Sequence, residues 1–128
     1  MANSRTVIVK PYSYYHAIVM HWKARGIKED IDLAFEEIVA YLDATDRPIF
    51  VVVDLRENSY MPMKDTFKGA ISGVHQHPNL IAWLCIGENK FARYVADVLN
   101  VFSDKSKIQW FDSDAEVDAY LEEQHMSV

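Results

Sequence analysis

The sequence contains few of the residues that cross-link or interrupt a protein chain: one cysteine, four glycines and four prolines among 128 residues. A single cysteine excludes an internal disulfide framework. Because there is also no low-complexity tract and no repeat, no segment has the composition of a linker, and a single domain over residues 1–128 is predicted.

Positive charge is scarce as well, since 13 Lys and Arg stand against 19 Asp and Glu, for a formal net charge of −6. Such a balance repels phosphate, so neither nucleic acid nor an anionic membrane is an expected partner. No apolar run reaches the roughly 18–20 residues that span a bilayer, which argues against stable membrane insertion. The first residues, MANSRTVIVK, lack the apolar core of a signal peptide, and a cytoplasmic location is expected.

Apolar residues, in contrast, make up half of the chain. The first two apolar segments, Thr6–Lys10 and His16–Ala24, predict a β-hairpin. Alternation divides the second strand into one face with Ile18, Met20 and Trp22 and another with Ala17, Val19 and His21.

Residues Lys28–Ala44 predict a helix, because their apolar positions recur at helical spacing. The predicted buried stripe consists of Ile31, Ala34, Phe35, Ile38, Val39 and Leu42.

Two later segments, Ile49–Leu55 and Leu80–Ile86, are apolar on both faces, which is typical of central strands covered by helices. Lys107–Phe111 is a shorter third case. Further helices are predicted over Pro62–His77, Asn89–Ser103 and Asp114–Glu123, the last beginning at a capping box formed by Ser113 and Glu116. Alternating strands and helices predict an α/β fold with a mostly parallel central sheet, the N-terminal hairpin on its edge, and about four helices.

Motifs for catalysis or cofactor binding are missing. Neither GxxxxGK[ST] nor GxGxxG occurs, and no cluster has metal-ligand spacing. His75 and His77 would point about 200° apart on a helix. Cys85 lies within an apolar strand, where a thiol is a small hydrophobic side chain. No cofactor, metal or catalytic residue is predicted, and the chain is expected not to be an enzyme; Asp54 with Lys64 or His21 is the one pairing an enzyme could use.

The best candidate surface begins at Asp54, at the carboxyl end of a central strand, where partners of open α/β sheets collect. The alternative is that Asp54 accepts backbone N–H groups of its own turn. Residues 56–64 combine both charges with amide, hydroxyl and apolar groups, and the loop 87–90 follows the next central strand. The predicted partner-binding residues are Asp54, Arg56, Asn58, Ser59, Tyr60, Lys64, Glu88 and Asn89.

A second surface is predicted on the two middle helices. The helix over Asn89–Ser103 has an apolar arc of about 160°, wider than a surface helix needs, and small residues flank the stripe of the preceding helix. This arc serves either internal packing, a homodimer face or an apolar ligand. The predicted dimer or ligand face, taken from both helices, consists of Gly69, Gly73, Phe91, Tyr94, Val98 and Phe102.

Three runs together, IFVVVDLRENSYMPMKDTFKGAI, LIAWLCIGENKFARYVADVLNVF and KIQWFDSDAEVDAYL, resemble the SpoIIAA-like family of the STAS (anti-sigma-factor-antagonist) superfamily. The resemblance implies a single STAS-like domain that binds a protein partner. Family antagonists carry an Asp-Ser-Ser-Gly phosphoacceptor motif where this chain has Pro62-Met63-Lys64-Asp65, so a phosphoserine switch is not expected. Ser59 and Thr66 flank the stretch but do not match the motif.

The same family resembles the lipid-binding CRAL-TRIO fold in outline, which implies an alternative function as a carrier of a small apolar ligand or lipid. Aromatic residues would line such a site: Trp22, Trp83, Phe91, Phe102 and Trp110. The leading hypothesis is a non-catalytic interaction module whose partner is another protein, a second copy of the chain, or both.

Overall fold

The computed structural model describes residues 6–12, 17–23, 27–57, 74, 77–87 and 108–126. Its elements in chain order are β1 (Val7–Pro11), β2 (Ala17–Trp22), α1 (Lys28–Ala44), β3 (Ile49–Asp54), β4 (Leu80–Ile86), β5 (Ile108–Phe111) and α2 (Asp114–Met126). Each lies within three residues of the boundaries that the apolar patterns predict, and the α/β class is confirmed.

The five strands form one sheet in the order β1-β2-β3-β4-β5. β1 pairs with β2 in antiparallel orientation, and the pairs from β2 to β5 are parallel. The predictions of a mostly parallel sheet and an edge hairpin are therefore confirmed. Because β3 is flanked by β2 and β4, the segment Ile49–Leu55, which is continuously apolar up to Asp54, lies at the centre of the sheet, as predicted.

The first face of the sheet packs against α1. Ile18, Met20 and Trp22 of β2 and Val51 and Val53 of β3 project to this side, where the predicted stripe of α1 meets them. Phe35 of α1 and Trp83 of β4 form an edge-to-face ring contact with centroids 6.3 Å apart. Helical spacing on α1 and strand alternation on β2 thus select the same core.

Both ends of α1 are tied to strands. Near its first turn, the Asp30 carboxylate accepts hydrogen bonds from the backbone N–H and the hydroxyl of Thr6, at 2.7 and 2.9 Å. At its last turn, the Asn79 side-chain amide donates to the carbonyl of Leu42 at 2.8 Å. His77 Nδ1 accepts the Asn79 backbone N–H, so His77 donates through Nε2 to Asp43, 2.8 Å away.

The second face packs against α2. Its apolar rows come from Ala17 and Val19, Phe50 and Val52, and Ala82 and Leu84 on three adjacent strands. Val117 and Leu121 of α2 are fully buried against them. The Tyr120 ring also contacts Phe50 and Phe111, with centroids 5.9 and 5.5 Å apart.

One irregularity interrupts the parallel sheet. Ile49 pairs with Leu80 but Phe50 pairs with Ala82, so Ile81 is an extra residue on β4. Its side chain is 41% exposed, although it lies within an otherwise buried strand. The shift explains how a continuously apolar run contains one residue outside the core.

The predicted capping box opens α2. The Ser113 hydroxyl accepts the backbone N–H of Glu116 at 3.2 Å. The Glu116 carboxylate reaches back to the backbone N–H of Asp112 at 3.0 Å, one residue before the cap. The first bond satisfies an N–H group that a helix start leaves without a partner, and the second holds the residue before the cap against the first turn.

The described residues contain two helices rather than the predicted four or so. The predicted helices over Pro62–His77 and Asn89–Ser103 lie almost wholly outside the described residues. Neither α1 nor α2 combines the length and the apolar character that crossing a membrane requires.

Candidate functional site

The second face of the sheet changes from apolar to charged at the carboxyl ends of β2 and β3. His21 continues the row of Ala17 and Val19, and Asp54 continues the row of Phe50 and Val52. His21 and Asp54 are register partners on the two strands. We define the carboxyl rim as His21, Asp54, Arg56, Glu57 and Asp114.

Asp54 and Arg56 are joined by three hydrogen bonds. The carboxylate accepts the backbone N–H of Arg56 at 3.0 Å, Nε at 3.0 Å and Nη2 at 2.9 Å. The alternative of a turn stabilised by the Asp54 side chain is therefore confirmed. The two side-chain bonds also hold the guanidinium of Arg56 in a fixed bidentate orientation.

This geometry determines the charge state of the pair. Burial of the Asp54 carboxyl favours the neutral form, but the hydrogen bonds and the charge of Arg56 outweigh it and lower the pKa of Asp54 below its ordinary 3.8. The charge of His21 acts in the same direction. The hydrogen bond to Asp54 in turn raises the pKa of Arg56, so the pair is ionised at neutral pH.

His21 and Glu57 form the second close contact of the rim. The distance from His21 Nε2 to Glu57 Oε2 is 2.6 Å, and 22% and 60% of the two side chains are exposed. The bond connects the end of β2 with the residue that follows Arg56. His21 and Glu57 are thus within hydrogen-bond distance of each other. The sequence, from which no catalysis was expected, did not predict the pairing of these two residues.

The N-terminus of α2 completes the rim. Arg56 Nη1 lies 3.4 Å from the Asp114 carboxylate, a longer contact than those to Asp54, and 56% of the Asp114 side chain is exposed. One turn along α2, Asp118 accepts the phenolic hydrogen of Tyr12 at 2.7 Å. Burial and this hydrogen bond raise the pKa of Tyr12 well above 10.0, so the phenol remains a donor.

The ends of β3, β4 and β5 are held together by backbone hydrogen bonds. Leu55 N–H donates to the Ile86 carbonyl at 2.9 Å, and Gly87 N–H lies 3.4 Å from the Phe111 carbonyl. Loop residues after these strands therefore start from one edge, as predicted from the two apolar runs. The parallel strands follow chain order, so the described sheet has no reversal of strand order, the feature that opens a ligand crevice in doubly wound folds.

Among the predicted partner-binding residues, the structure brings Asp54 and Arg56 together. The others lie outside the described residues: Asn58, Ser59, Tyr60, Lys64, Glu88 and Asn89. The predicted dimer or ligand face lies outside them as well, with Gly69, Gly73, Phe91, Tyr94, Val98 and Phe102, and so does Thr66. These assignments stay predictions.

Sequence reasoning missed Glu57 as the partner of His21, and missed Asp114 and the pair of Tyr12 and Asp118. The two partners are 36 residues apart in one pair and 106 in the other. Neither separation is a local spacing that a motif can carry. The alternation of β2 did place His21 on the correct face.

Other candidate groups belong to the core. Cys85 is buried in β4, and burial raises the pKa of its thiol to about 12. Of the aromatic set proposed for a ligand, Trp22 and Trp83 are packed into the first-face core, whereas Phe91 and Phe102 lie outside the described residues. No group of three metal-ligating side chains occurs in the part of the chain that the structure describes.

Comparison of the chain with models of protein families, with characterised proteins and with solved structures finds no match. The site therefore has to be interpreted from its own geometry.

Proposed function

We propose that this protein is a non-catalytic, cytoplasmic interaction module, similar to the SpoIIAA-like domains, that binds a protein partner through the carboxyl rim, residues 56–64 and the loop 87–90. The observation that carries the proposal is the way in which the arginine of the rim is held. Arg56 is 42% exposed, yet its guanidinium is held in place by the nearly buried carboxylate of Asp54.

A side chain fixed in this way suits recognition. Binding usually costs an exposed arginine much of its rotamer freedom. The hydrogen bonds to Asp54 already restrict the rotamers of Arg56, so less freedom is lost on binding. Arginine is also enriched at the centres of protein interfaces. The rim further offers the exposed carboxylates of Glu57 and Asp114, so a partner would meet both signs of charge at defined positions.

The strand order supports a protein partner over a small substrate. A small molecule needs a concave site that buries most of its surface. Strand order follows chain order from β2 to β5, so the sheet of the described residues has no reversal of strand order, the feature that opens such a crevice in doubly wound folds. Exposed charges of both signs on Arg56, Glu57 and Asp114 are better matched to another protein.

The hydrogen bond between His21 and Glu57 lies in a position that disfavours catalysis. Catalytic acid–base pairs work where water is excluded, and 60% of the Glu57 side chain is exposed. We assign the pair to fixing the segment after β3 against β2. We also propose that Lys64, at the position of the family's phosphoacceptor, leaves the module without a phosphoserine switch.

Affinity capture with matched arginine variants tests the proposal. Arg56→Ala removes the arginine of the rim, whereas Arg47→Ala removes an exposed arginine that lies 3.9 Å from Asp46 after α1. We expect a protein that binds the wild type and Arg47→Ala with one affinity to bind Arg56→Ala at least about tenfold more weakly. Circular dichroism confirms that each variant is folded. Equal affinity of a purified partner for all three chains would refute the role of the rim.

The partner can also be a second copy of the chain, through the predicted face on the middle helices. Sedimentation measurements give the solution mass, and native mass spectrometry of the same sample records any retained apolar molecule. A dimer without ligand supports self-association. A monomer that carries an apolar molecule supports the carrier alternative instead.

A further inference from the structure

We propose that α2 is a releasable strap: it detaches from the second face of the sheet while α1 and the five strands remain folded, and the contacts of Tyr12 with Asp118 and of Arg56 with Asp114 are its latch. This opening needs no partner, so the proposal stands apart from the one above.

The first argument is the small apolar contact of α2. Two of its described side chains, Val117 and Leu121, are buried apolar residues, and Tyr120 is partly buried beside them. In contrast, five apolar side chains of α1 are buried: Ile31, Ala34, Phe35, Ile38 and Leu42. Since burial of apolar area provides most of the free energy of docking, the described side chains attach α2 more weakly than α1.

The second argument is that α2, beyond its capped first turn, carries charges that do not stabilise a helix. Its 13 residues include five carboxylates and no lysine or arginine. Asp114, Asp118 and Glu122 follow one another at spacings of four, which places like charges on one side of the helix. Glu122 and Glu123 approach the carboxyl end, where the helix dipole disfavours negative charge. Helices of this length are marginal in water without packing, so α2 depends on its contacts.

The third argument is that polar contacts from distant parts of the chain hold α2. Tyr12, which follows β1, donates to Asp118, and Arg56, which follows β3, contacts Asp114. On β5, the Gln109 amide donates to the Tyr120 hydroxyl at 3.0 Å. Polar contacts of this kind exchange readily for water, unlike buried apolar packing. Release of α2 would remove Val117 and Leu121 from the apolar cluster that contains Val52 and Leu84 at the centre of the second face.

Native-state hydrogen exchange of the full chain tests the strap. We expect backbone amides of α2 to exchange faster than those of β3 and β4, which open only with the whole domain. Tyr12→Phe should speed exchange in α2 by about two- to tenfold, the effect of one hydrogen bond, and leave β3, β4 and α1 unchanged. Tyr41→Phe, at an exposed tyrosine of α1, is the matched control and should change nothing.

Thiol labelling of Val117→Cys provides a second measurement that does not depend on the Tyr12 variant. The new thiol reports release of α2, while the natural Cys85, buried under the other face in β4, reports opening of the sheet. The strap predicts that the thiol at position 117 reacts at least about tenfold faster than Cys85. Equal rates for the two thiols, or equal exchange of α2 and β3 with uniform acceleration by Tyr12→Phe, would overturn the proposal.

Discussion

Asp54 lies beneath Arg56 and is the less exposed member of the pair, with 11% of its side chain accessible against 42% for the arginine. The two residues are therefore not equivalent. Loss of Asp54 would leave a guanidinium that water can solvate, whereas loss of the Arg56 side chain would leave a nearly buried carboxylate that keeps only the backbone N–H of residue 56 from the three hydrogen bonds that join the pair. A buried charge without its counterion is among the costlier defects in a folded protein.

We expect Arg56→Ala to lower the free energy of unfolding by about 1–3 kcal/mol, because the Asp54 carboxylate loses two hydrogen bonds from a cation. Arg56→Lys keeps the charge but cannot form the bidentate contact, so its stability should lie between wild type and alanine. Urea unfolding at neutral pH measures all three. Arg47→Ala is the control for loss of an exposed arginine and should stay within about 0.5 kcal/mol of wild type. An Arg56→Ala variant as stable as Arg47→Ala would contradict the assigned contact.

The same pair predicts a dependence of stability on pH. Folding lowers the pKa of Asp54 from its ordinary 3.8, so the folded chain binds this proton less readily than the unfolded chain. The stabilisation from Asp54 is therefore complete above the unfolded pKa. It is lost as the pH falls through the lower, folded pKa.

Asp54→Asn removes this titration. The variant should be less stable than wild type at pH 7, and the difference should shrink as urea unfolding is repeated at lower pH down to pH 3. Asp32→Asn is the control, since Asp32 forms an exposed ion pair with Lys28 within α1. A gap between Asp54→Asn and wild type that stays constant over this range would show that the carboxyl does not titrate with a lowered pKa.

The sequence was most informative where one local period determines the structure. The apolar stripe of α1 follows the helical period, and the runs of β3 and β4 are apolar on both faces, as buried strands are. The predicted boundaries of these three elements matched the structure closely. The bulge at Ile81 could not be predicted, because a continuously apolar run has no alternation that marks an extra residue.

The rim was predictable only in part, for the same physical reason. Asp54 and Arg56 are two residues apart, and an aspartate at the end of a strand commonly bonds to its own turn. The contact of His21 with Glu57 depends instead on the parallel register of β2 and β3, and the contact of Tyr12 with Asp118 depends on how α2 crosses the second face. Neither tertiary relation is encoded in local spacing.

The contrast between Leu84 and Ile81 within β4 makes the bulge testable. Leu84 is fully buried on the second face, while Ile81 is 41% exposed at the register shift. We expect Leu84→Ala to cost about 2–5 kcal/mol of unfolding free energy, because it leaves a cavity in the core. Ile81→Ala should cost well under about 1 kcal/mol, since much of its surface is already in water. Comparable losses in urea unfolding would place Ile81 inside the core and contradict the register.

Gly87 directly follows β4, and its backbone conformation disfavours any residue with a side chain. Its φ is 133°, which L side chains rarely adopt, and an added Cβ would lie 3.1 Å from the Leu55 Cβ and 3.3 Å from the Leu55 carbonyl carbon. The close approach exists because Leu55 N–H bonds to the Ile86 carbonyl and brings the two strand ends together. Gly87→Ala should therefore destabilise the protein by about 1–3 kcal/mol through backbone strain and the contact with Leu55.

If the backbone relieves the strain by moving, the ends of β3 and β4 separate, and backbone amides near Leu55 should exchange faster in Gly87→Ala than those at the start of β3. Ala82→Gly, at a buried position within the same strand, controls for a one-carbon change in β4 and should leave exchange near Leu55 unaltered. A Gly87→Ala variant with wild-type stability and wild-type exchange at Leu55 would show that the strand ends are not held this closely.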